Sequence, residues 1–402
     1  MANNSIFDRK EIERMFKGVE SPDEMQGESW FLVLLNRIKD LQEQGFRATD
    51  IYIQEQKPIS IGILKNFITT TFVPPDAVTQ SSIRTIIKKL YSKRLSMIGF
   101  SDTEAMRMTE EMIRKENFKS FSIAIHGLGV LRITYSKSKN GDVVTMRILP
   151  FEVPRLEDVY IPPSYKDFLY SLLKEETIVI PWFNNAQRKL KTVRRGGLII
   201  HSGPTGSGKS TSIAAQIHDI ALQTAGMIIT YEDPVEYRYI TSPNVIQYEI
   251  GVEINSEEIY HHFLRSTAQV ALFGETRTKE QFLQVIDIAS RGHLVYTTLH
   301  ANSVVEAIMM MRDFAGKENL ALLTNSLLAI SYQKLVLDQA TGKIKTLYEQ
   351  LMFREDVPEI KQIKQMIEKD ETPQSFKNFF IDNAKRLSDL RVYNNYANVS
   401  YL

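Results

Sequence analysis

A larger α/β domain with a mainly parallel sheet, preceded by a smaller α+β domain, is the architecture the sequence predicts. Three observations carry that expectation. Short apolar runs alternate with helical segments from about residue 196 to residue 300, the pattern of a parallel sheet. A glycine-rich stretch stands at one of the strand-to-helix junctions. Before residue 150 a hairpin and a group of three strand-like stretches instead stand on either side of two consecutive helices.

Taken in order, residues 1–28 are polar and charged, and read as an extension that is helical or poorly ordered. Residues 29–44 (SWFLVLLNRIKDLQEQ) space their apolar side chains as an amphipathic helix does. "ATDIYIQ" and "ISIGILKN" alternate about Lys57-Pro58 and predict a hairpin. "SSIRTIIKKLYSKR" and "TEAMRMTEEMIRKE" return to helical spacing. "SFSIAIHG", "VLRITYS" and "DVVTMRILP" predict three strands, with Asn140-Gly141 as a hairpin signal between the last two. Residues 29–150 are therefore expected to form the α+β domain. The proline-bearing stretch 151–162 reads as a linker, residues 163–337 as the α/β domain, and 338–402 as a smaller helical region.

Composition narrows the function. The chain has 402 residues, 43% of them hydrophobic, enough for large cores. A net charge of +1 gives no global polyanion-binding character, so direct binding of nucleic acid is not expected. The basic clusters RKLKTVRR and KKLYSKR read as solvated or subunit-facing surface. There is no cysteine, which excludes disulfides, thiolate metal sites and cysteine catalysis. The amino terminus lacks a signal-type apolar stretch, and no apolar run approaches the roughly 18–20 residues of a membrane span. The expectation is a cytoplasmic protein able to dock on the inner face of a membrane assembly. Trp30, Trp182 and the methionine run 309–311 read as packing residues.

"LIIHSGPTGSGKSTSI" contains the full pattern G-x-x-x-x-G-K-[ST] between a strand and a helix. Gly203, Gly206 and Gly208 let the backbone curl so that the N–H groups of the loop, which also contains Pro204, Thr205 and Ser207, point at phosphate oxygens. Lys209 would reach the β- and γ-phosphates, and the Ser210 hydroxyl, with Thr211 beside it, would ligate Mg²⁺. A chance glycine-rich turn is the alternative; four constrained positions in the right setting argue against it. Other strand ends carry polar groups: Glu232 and Asp233 in "MIITYEDPVEY", Glu275 in "VALFGETR", His293 before and His300 after "LVYTTL". Ligands of parallel sheets bind beyond the strand carboxyl ends, so these residues are expected at one edge. Hydrolysis of a triphosphate needs a positioned water, a metal and a sensor of the terminal phosphate. Taken singly, Glu232-Asp233 before Pro234 also fits a turn, and His300 a satisfied strand-end histidine.

In order along the chain, "GPTGSGKST", "YEDPVEY", "LRSTAQVALFGETR" and "GHLVYTTLHANS" resemble the motifs of the hexameric secretion ATPases. That family comprises pilus-retraction and pilus-assembly motors, type II secretion ATPases, and type IV secretion and conjugation ATPases. The resemblance spans roughly residues 45–350. It implies a RecA-like P-loop core behind a PAS-like amino-terminal domain, and a homohexamer that turns ATP hydrolysis into work on a membrane-spanning machine. It implies that Glu232 polarises the attacking water, that Asp233 supports Mg²⁺ or the water network, and that Glu275 lies near metal and γ-phosphate. His300 would sense that phosphate, and His293 would lie at the pocket rim or a subunit interface. Arg132 and Arg147 match arginines that approach a nucleotide from the amino-terminal domain; a strand salt bridge is the alternative for both. Ser266-Thr267-Ala268-Gln269 and Thr278 depart from the usual family pattern, and the carboxy-terminal motif of retraction motors is at best distantly matched. "YTTLHANSVVEAI" and "TLYEQLMF" are more similar to the type IV secretion and conjugation branch. A RecA-like nucleic-acid motor, a nucleotide switch with little hydrolysis and a small-molecule kinase are the rivals.

Overall fold

A computed structural model describes residues 6–7, 30–43, 48–63, 66–69, 73–125, 128–149, 153–180, 186–224, 226–239, 241–337 and 344–394. Of the extension 1–28 only Ile6 and Phe7 are among the described residues, and Trp182 lies outside them. The chain divides into two compact units: Met1–Glu152 with Pro234–Arg238, and Val153–Asp233 with Tyr239–Leu402.

The first unit contains β1 (Ile6–Phe7), α1 (Trp30–Glu43), β2 (Ala48–Gln54), β3 (Ser60–Ile63), β4 (Asn66–Thr69), α2 (Gln80–Met97), α3 (Asp102–Lys115), β5 (Phe118–Ile125), β6 (Gly129–Ser138) and β7 (Gly141–Leu149). Its sheet has the order β1-β5-β6-β7-β2-β3-β4. Only the β1–β5 pairing is parallel. The β2–β3 hairpin and the β5–β6–β7 meander follow the alternation in the sequence. Phe31, Leu34 and Ile38 of α1 and Ile83, Ile87 and Leu90 of α2 share a core with Ile51, Phe121, Ile133 and Met146 of the strands. Trp30 is buried there, and its Nε1 donates to Ser82 Oγ over 3.1 Å. Reciprocal side-chain caps at Thr79/Ser82 and Ser101/Glu104 start α2 and α3.

The second unit contains α4 (Pro163–Ser171), β8 (Leu173–Ile180), β9 (Ala186–Val193), β10 (Gly197–Ser202), α5 (Lys209–Gln223), β11 (Ile228–Glu232), β12 (Val245–Glu249), α6 (Ile259–Leu264), β13 (Val270–Phe273), α7 (Lys279–Ser290), β14 (Leu294–Leu299), α8 (Val304–Ala315), α9 (Leu320–Ser326), β15 (Leu327–Leu337), β16 (Ile344–Met352), α10 (Pro358–Glu368), α11 (Pro373–Asp389) and β17 (Tyr393–Asn394). Its main sheet has the order β12-β11-β13-β14-β10-β15-β16-β17. The strands from β12 to β15 are mutually parallel, so the segments after Ser202, Glu232, Phe273 and Leu299 leave the same edge. The second unit is thus an α/β core with a P-loop strand at its centre, and the first is a smaller α+β unit. Met311 packs into this core.

The carboxy-terminal stretch differs from the helical expectation. Ile344–Met352 pairs antiparallel with β15 from Ala329↔Met352 to Leu337↔Ile344. Tyr348 to Met352 are all buried, as in a strand covered on both faces. The polar members of that run are buried too, so charge in this stretch does not report exposure. Glu349, 6% exposed, accepts from the Val304 N–H at the start of α8 (2.9 Å) and from the Tyr393 hydroxyl (2.8 Å). Ile360 and Ile363 of α10 and Phe376 and Leu387 of α11 share one core with Leu198 and Ile200 of β10. These helices complete the second unit instead of forming a third.

Candidate active site

Strand β10 is buried along its whole length. Its neighbours β14 and β15 hold it in the centre of the sheet. Beyond Ser202 the chain curls and enters α5 at Lys209, with Gly208 as the helix cap at φ 85°. Gly203 and Gly206 have φ of 144° and 74°, a region that favours glycine. A Cβ at Gly203 would stand 2.4 Å from the Gln333 carbonyl oxygen and 2.8 Å from Ser207 Oγ, so β15 closes on the loop. Gln333 Nε2 also donates to the Ser207 carbonyl over 2.8 Å. At Gly206, by contrast, a Cβ would meet open space. Lys209 folds back over the curl, donating to the carbonyls of Gly203 (2.7 Å) and Pro204 (3.2 Å). Pro204, Thr205, Gly206 and Ser210 are exposed, and Thr211 is half-buried. Ser207 Oγ is buried without a hydrogen-bond partner. A curled backbone at the amino end of a helix, with a lysine across it, is suited to a phosphate chain.

Two further strand ends that bear carboxylates lie at the same sheet edge as this loop. Gly274 comes so close to β11 that a Cβ there would lie 3.3 Å from Glu232 Cα. Its N–H donates to the Tyr231 carbonyl over 2.8 Å. Thr298 Oγ1 donates to the Gly274 carbonyl, and Thr276 and Thr297 share a hydroxyl contact, each at 2.7 Å. These bonds stitch the Gly274–Thr276 turn to β11 and β14. Glu275 Oε1 lies 2.9 Å from His300 Nε2, and its Oε2 accepts from Arg277 over 2.7 Å. Burial opposes the charge of Glu275, yet Arg277, His300 and Lys209 together hold its carboxyl below the usual value. Arg277 is held above its ordinary value by Glu275 first, with Asp233 contributing, which brings the exposed Asp233 into the same group. Glu232 Oε1 accepts from Thr230 Oγ1 (2.7 Å) and Gln247 Nε2 (3.2 Å).

Loop, Lys209, Ser210, Glu232, Asp233, Glu275 and His300 therefore come to one sheet edge, as the parallel strands predict. His293 does not. It precedes β14, at the opposite end of the strand from His300, where its Nδ1 is 2.9 Å from the Ala268 carbonyl and its ring packs on Phe263. Within one chain it is no part of the pocket, because the length of β14 separates the two histidines. Arg132 and Arg147 belong to the first unit and sit opposite one another on β6 and β7. Arg132 pairs with Glu236 over 2.8 Å and Arg147 with Asp50 over 2.9 Å. Within the chain, ion pairing is what both arginines do.

Among the described residues, no three His, Cys, Asp or Glu side chains form a metal-binding group. Ser210, Asp233 and Glu275 supply oxygen donors of the kind Mg²⁺ takes, and Mg²⁺ completes such sites with substrate phosphates. The donor set fits that cation. Sequence reasoning missed Thr230, Gln247 and Gln333. Thr230 was findable, since i and i+2 share a strand face with Glu232; the two glutamines come from strands whose pairing only the fold supplies.

Comparison with known proteins adds four findings. The family described as "Type II/IV secretion system protein" matches residues 182–380. The type IV pilus ATPase PilU of Pseudomonas aeruginosa is 29% identical over 250 residues, which is 61% of this chain and 58% of that protein. The chain thus covers less than two thirds of that relative. The crystal structure of the pilus retraction motor PilT with bound ADP has the same fold, with a TM-score of 0.64, 24% identity and coverage of 87% of this chain and 89% of that one. So does the ATPase DotB of Legionella pneumophila, with a TM-score of 0.62, 20% identity and coverage of 90% and 93%. Among the described residues, no helix is long and apolar enough to cross a membrane.

Proposed function

We propose, from the premise that this chain belongs to the superfamily of type II/IV secretion-system and pilus ATPases, that it hydrolyses ATP to do mechanical work for such a machine. The convergence of the glycine-rich loop with Glu232, Glu275 and His300 at one sheet edge supports that reading. The loop N–H groups take the phosphates, and Lys209 exchanges the Gly203 and Pro204 carbonyls for the β- and γ-phosphate oxygens. Ser210, Asp233 and Glu275 would hold Mg²⁺, which would supply neutralisation of phosphate charge. Glu232 orients the attacking water. His300, bonded to Glu275, is placed to register loss of the terminal phosphate.

We read the active assembly as a homohexamer on the cytoplasmic face of the membrane, in contact with inner-membrane and cytoplasmic components of its machine. Arg132 and Arg147 would reach a neighbour's nucleotide after Arg132 exchanges Glu236 for phosphate, and His293 would serve a subunit interface. As to the machine, a type IV pilus is supported by the likeness to the type IV pilus ATPase PilU. Service to type IV secretion or conjugation rests on motif wording and a likeness of fold.

The test is steady-state ATP hydrolysis by the purified protein with Mg²⁺, with native mass in ATP. Turnover is expected, and Lys209→Ala should abolish ATP binding or turnover. Wild-type kinetics in Lys209→Ala would overturn the reading. Turnover that requires added nucleic acid would favour a nucleic-acid motor.

A further inference from the structure

We propose that Thr230 and Gln247 are positioning residues that fix the carboxylate of Glu232, so that edge strand β12 takes part in water activation without touching substrate. The proposal rests on the reading of Glu232 given above.

Strand alternation puts Thr230 and Glu232 on one face of β11. The parallel register sets Gln247 of β12 beside Thr230, on that same face. Both donors then converge on one atom: Thr230 Oγ1 at 2.7 Å and Gln247 Nε2 at 3.2 Å from Glu232 Oε1. Each donor is itself constrained. Thr230 is wholly buried, and a β-branched side chain is stiff at χ1. The Gln247 amide is oriented from its other end, because its Oε1 accepts from the Tyr239 N–H over 3.0 Å. An acceptor on one side and a donor on the other fix which way the amide points.

The opposite face of the same strands is locked independently. Tyr231 stacks on Tyr248 of β12 with ring centres 5.8 Å apart, and on Phe273 of β13 at 5.5 Å. His262 closes this ladder, with Nδ1 2.8 Å from the Tyr231 hydroxyl and its ring edge-on to Tyr248. The three strands that end at Glu232, Glu249 and Phe273 thus keep their register, and Gln247 keeps its distance from Glu232. Anchoring one carboxylate oxygen fixes the direction of the group, which is what orientation of a water requires.

The test compares Gln247→Leu, Thr230→Val and Thr230→Ser in ATP hydrolysis, in nucleotide affinity and in thermal unfolding. Gln247→Leu and Thr230→Val should each lower kcat about tenfold, since a 1 Å misplacement can cost roughly 100-fold, with KM and nucleotide affinity nearly unchanged. Thr230→Ser, which keeps the hydroxyl, should retain most of the rate. If buried Thr230→Val fails to fold, the half-buried Gln247 carries the test alone. In a Glu232→Gln background, Gln247→Leu should cost nothing further. Wild-type kcat in Gln247→Leu, or the same tenfold loss in the Glu232→Gln background, would overturn the proposal. Unchanged turnover in Glu232→Gln alone would instead remove the role of Glu232 itself.

Discussion

Glu275 keeps its charge in a setting that partly excludes water, because three cationic or protonatable neighbours outweigh the cost of burial. A carboxylate with a depressed value adds stability at pH above its unfolded value and loses it as pH falls through the folded one. Arg277→Met removes the strongest favourable partner. Turnover should fall, and the acid limb of the pH–rate profile should move to higher pH; an unmoved limb would show that Arg277 does not sustain this charge. His201, buried under the loop beside Gln216, works in the other sense. Burial lowers its value to about 4, so it is neutral in the folded protein. As pH drops from about 6.5 to about 4, the unfolded chain takes up a proton that the folded one refuses, at a cost of order 3 kcal/mol. Melting temperature should decline across that window, and His201→Gln should flatten the decline. The sequence made the acids and His300 visible through their place after strands. It hid His201, which reads as one more residue of an apolar strand.

The loop between β10 and α5 is the element most tightly specified by its residues. Gly203→Ala would drive a methyl into the Gln333 carbonyl and force an L side chain into left-handed space. It should lower the melting temperature by several degrees and nucleotide affinity more than tenfold, on strain of about 1–3 kcal/mol. Gly206, with open space around it, should tolerate alanine better; calorimetry and nucleotide titration of the two variants check the contrast. The elements around the loop were legible where apolar runs alternate with helices, as β10, β11, β13 and β14 do. The β8–β9 hairpin and β16 were not. "LKEETIVI", "AQRKLKTV" and "IKTLYEQLM" carry charges at spacings that suit a helix surface equally well, and only long-range pairing decides between the two.

At the scale of the proposed assembly, the arginine pair supplies the discriminating experiment. Rings mixed from Arg132→Ala and Lys209→Ala subunits should recover part of the activity if the arginine serves a neighbour's nucleotide. Such arginines are worth about 10³–10⁵ in rate in GTPases, so even partial rescue is measurable. No recovery in verified mixed rings would confine Arg132 to its pair with Glu236. The order of four motifs made the family and the shared sheet edge legible from sequence. Which carboxylate holds which arginine was not, because Glu236 and Asp50 are remote in sequence from Arg132 and Arg147 and meet them only after folding.

Glu349 bridges Tyr393 and the first turn of the helix that begins four residues after His300. A chain shortened to residue 392, or carrying Tyr393→Phe, loosens a mooring far along the sequence from any phosphate. Such a variant is expected to bind nucleotide normally yet register its cleavage poorly, a defect that a search confined to the pocket would never trace to its source.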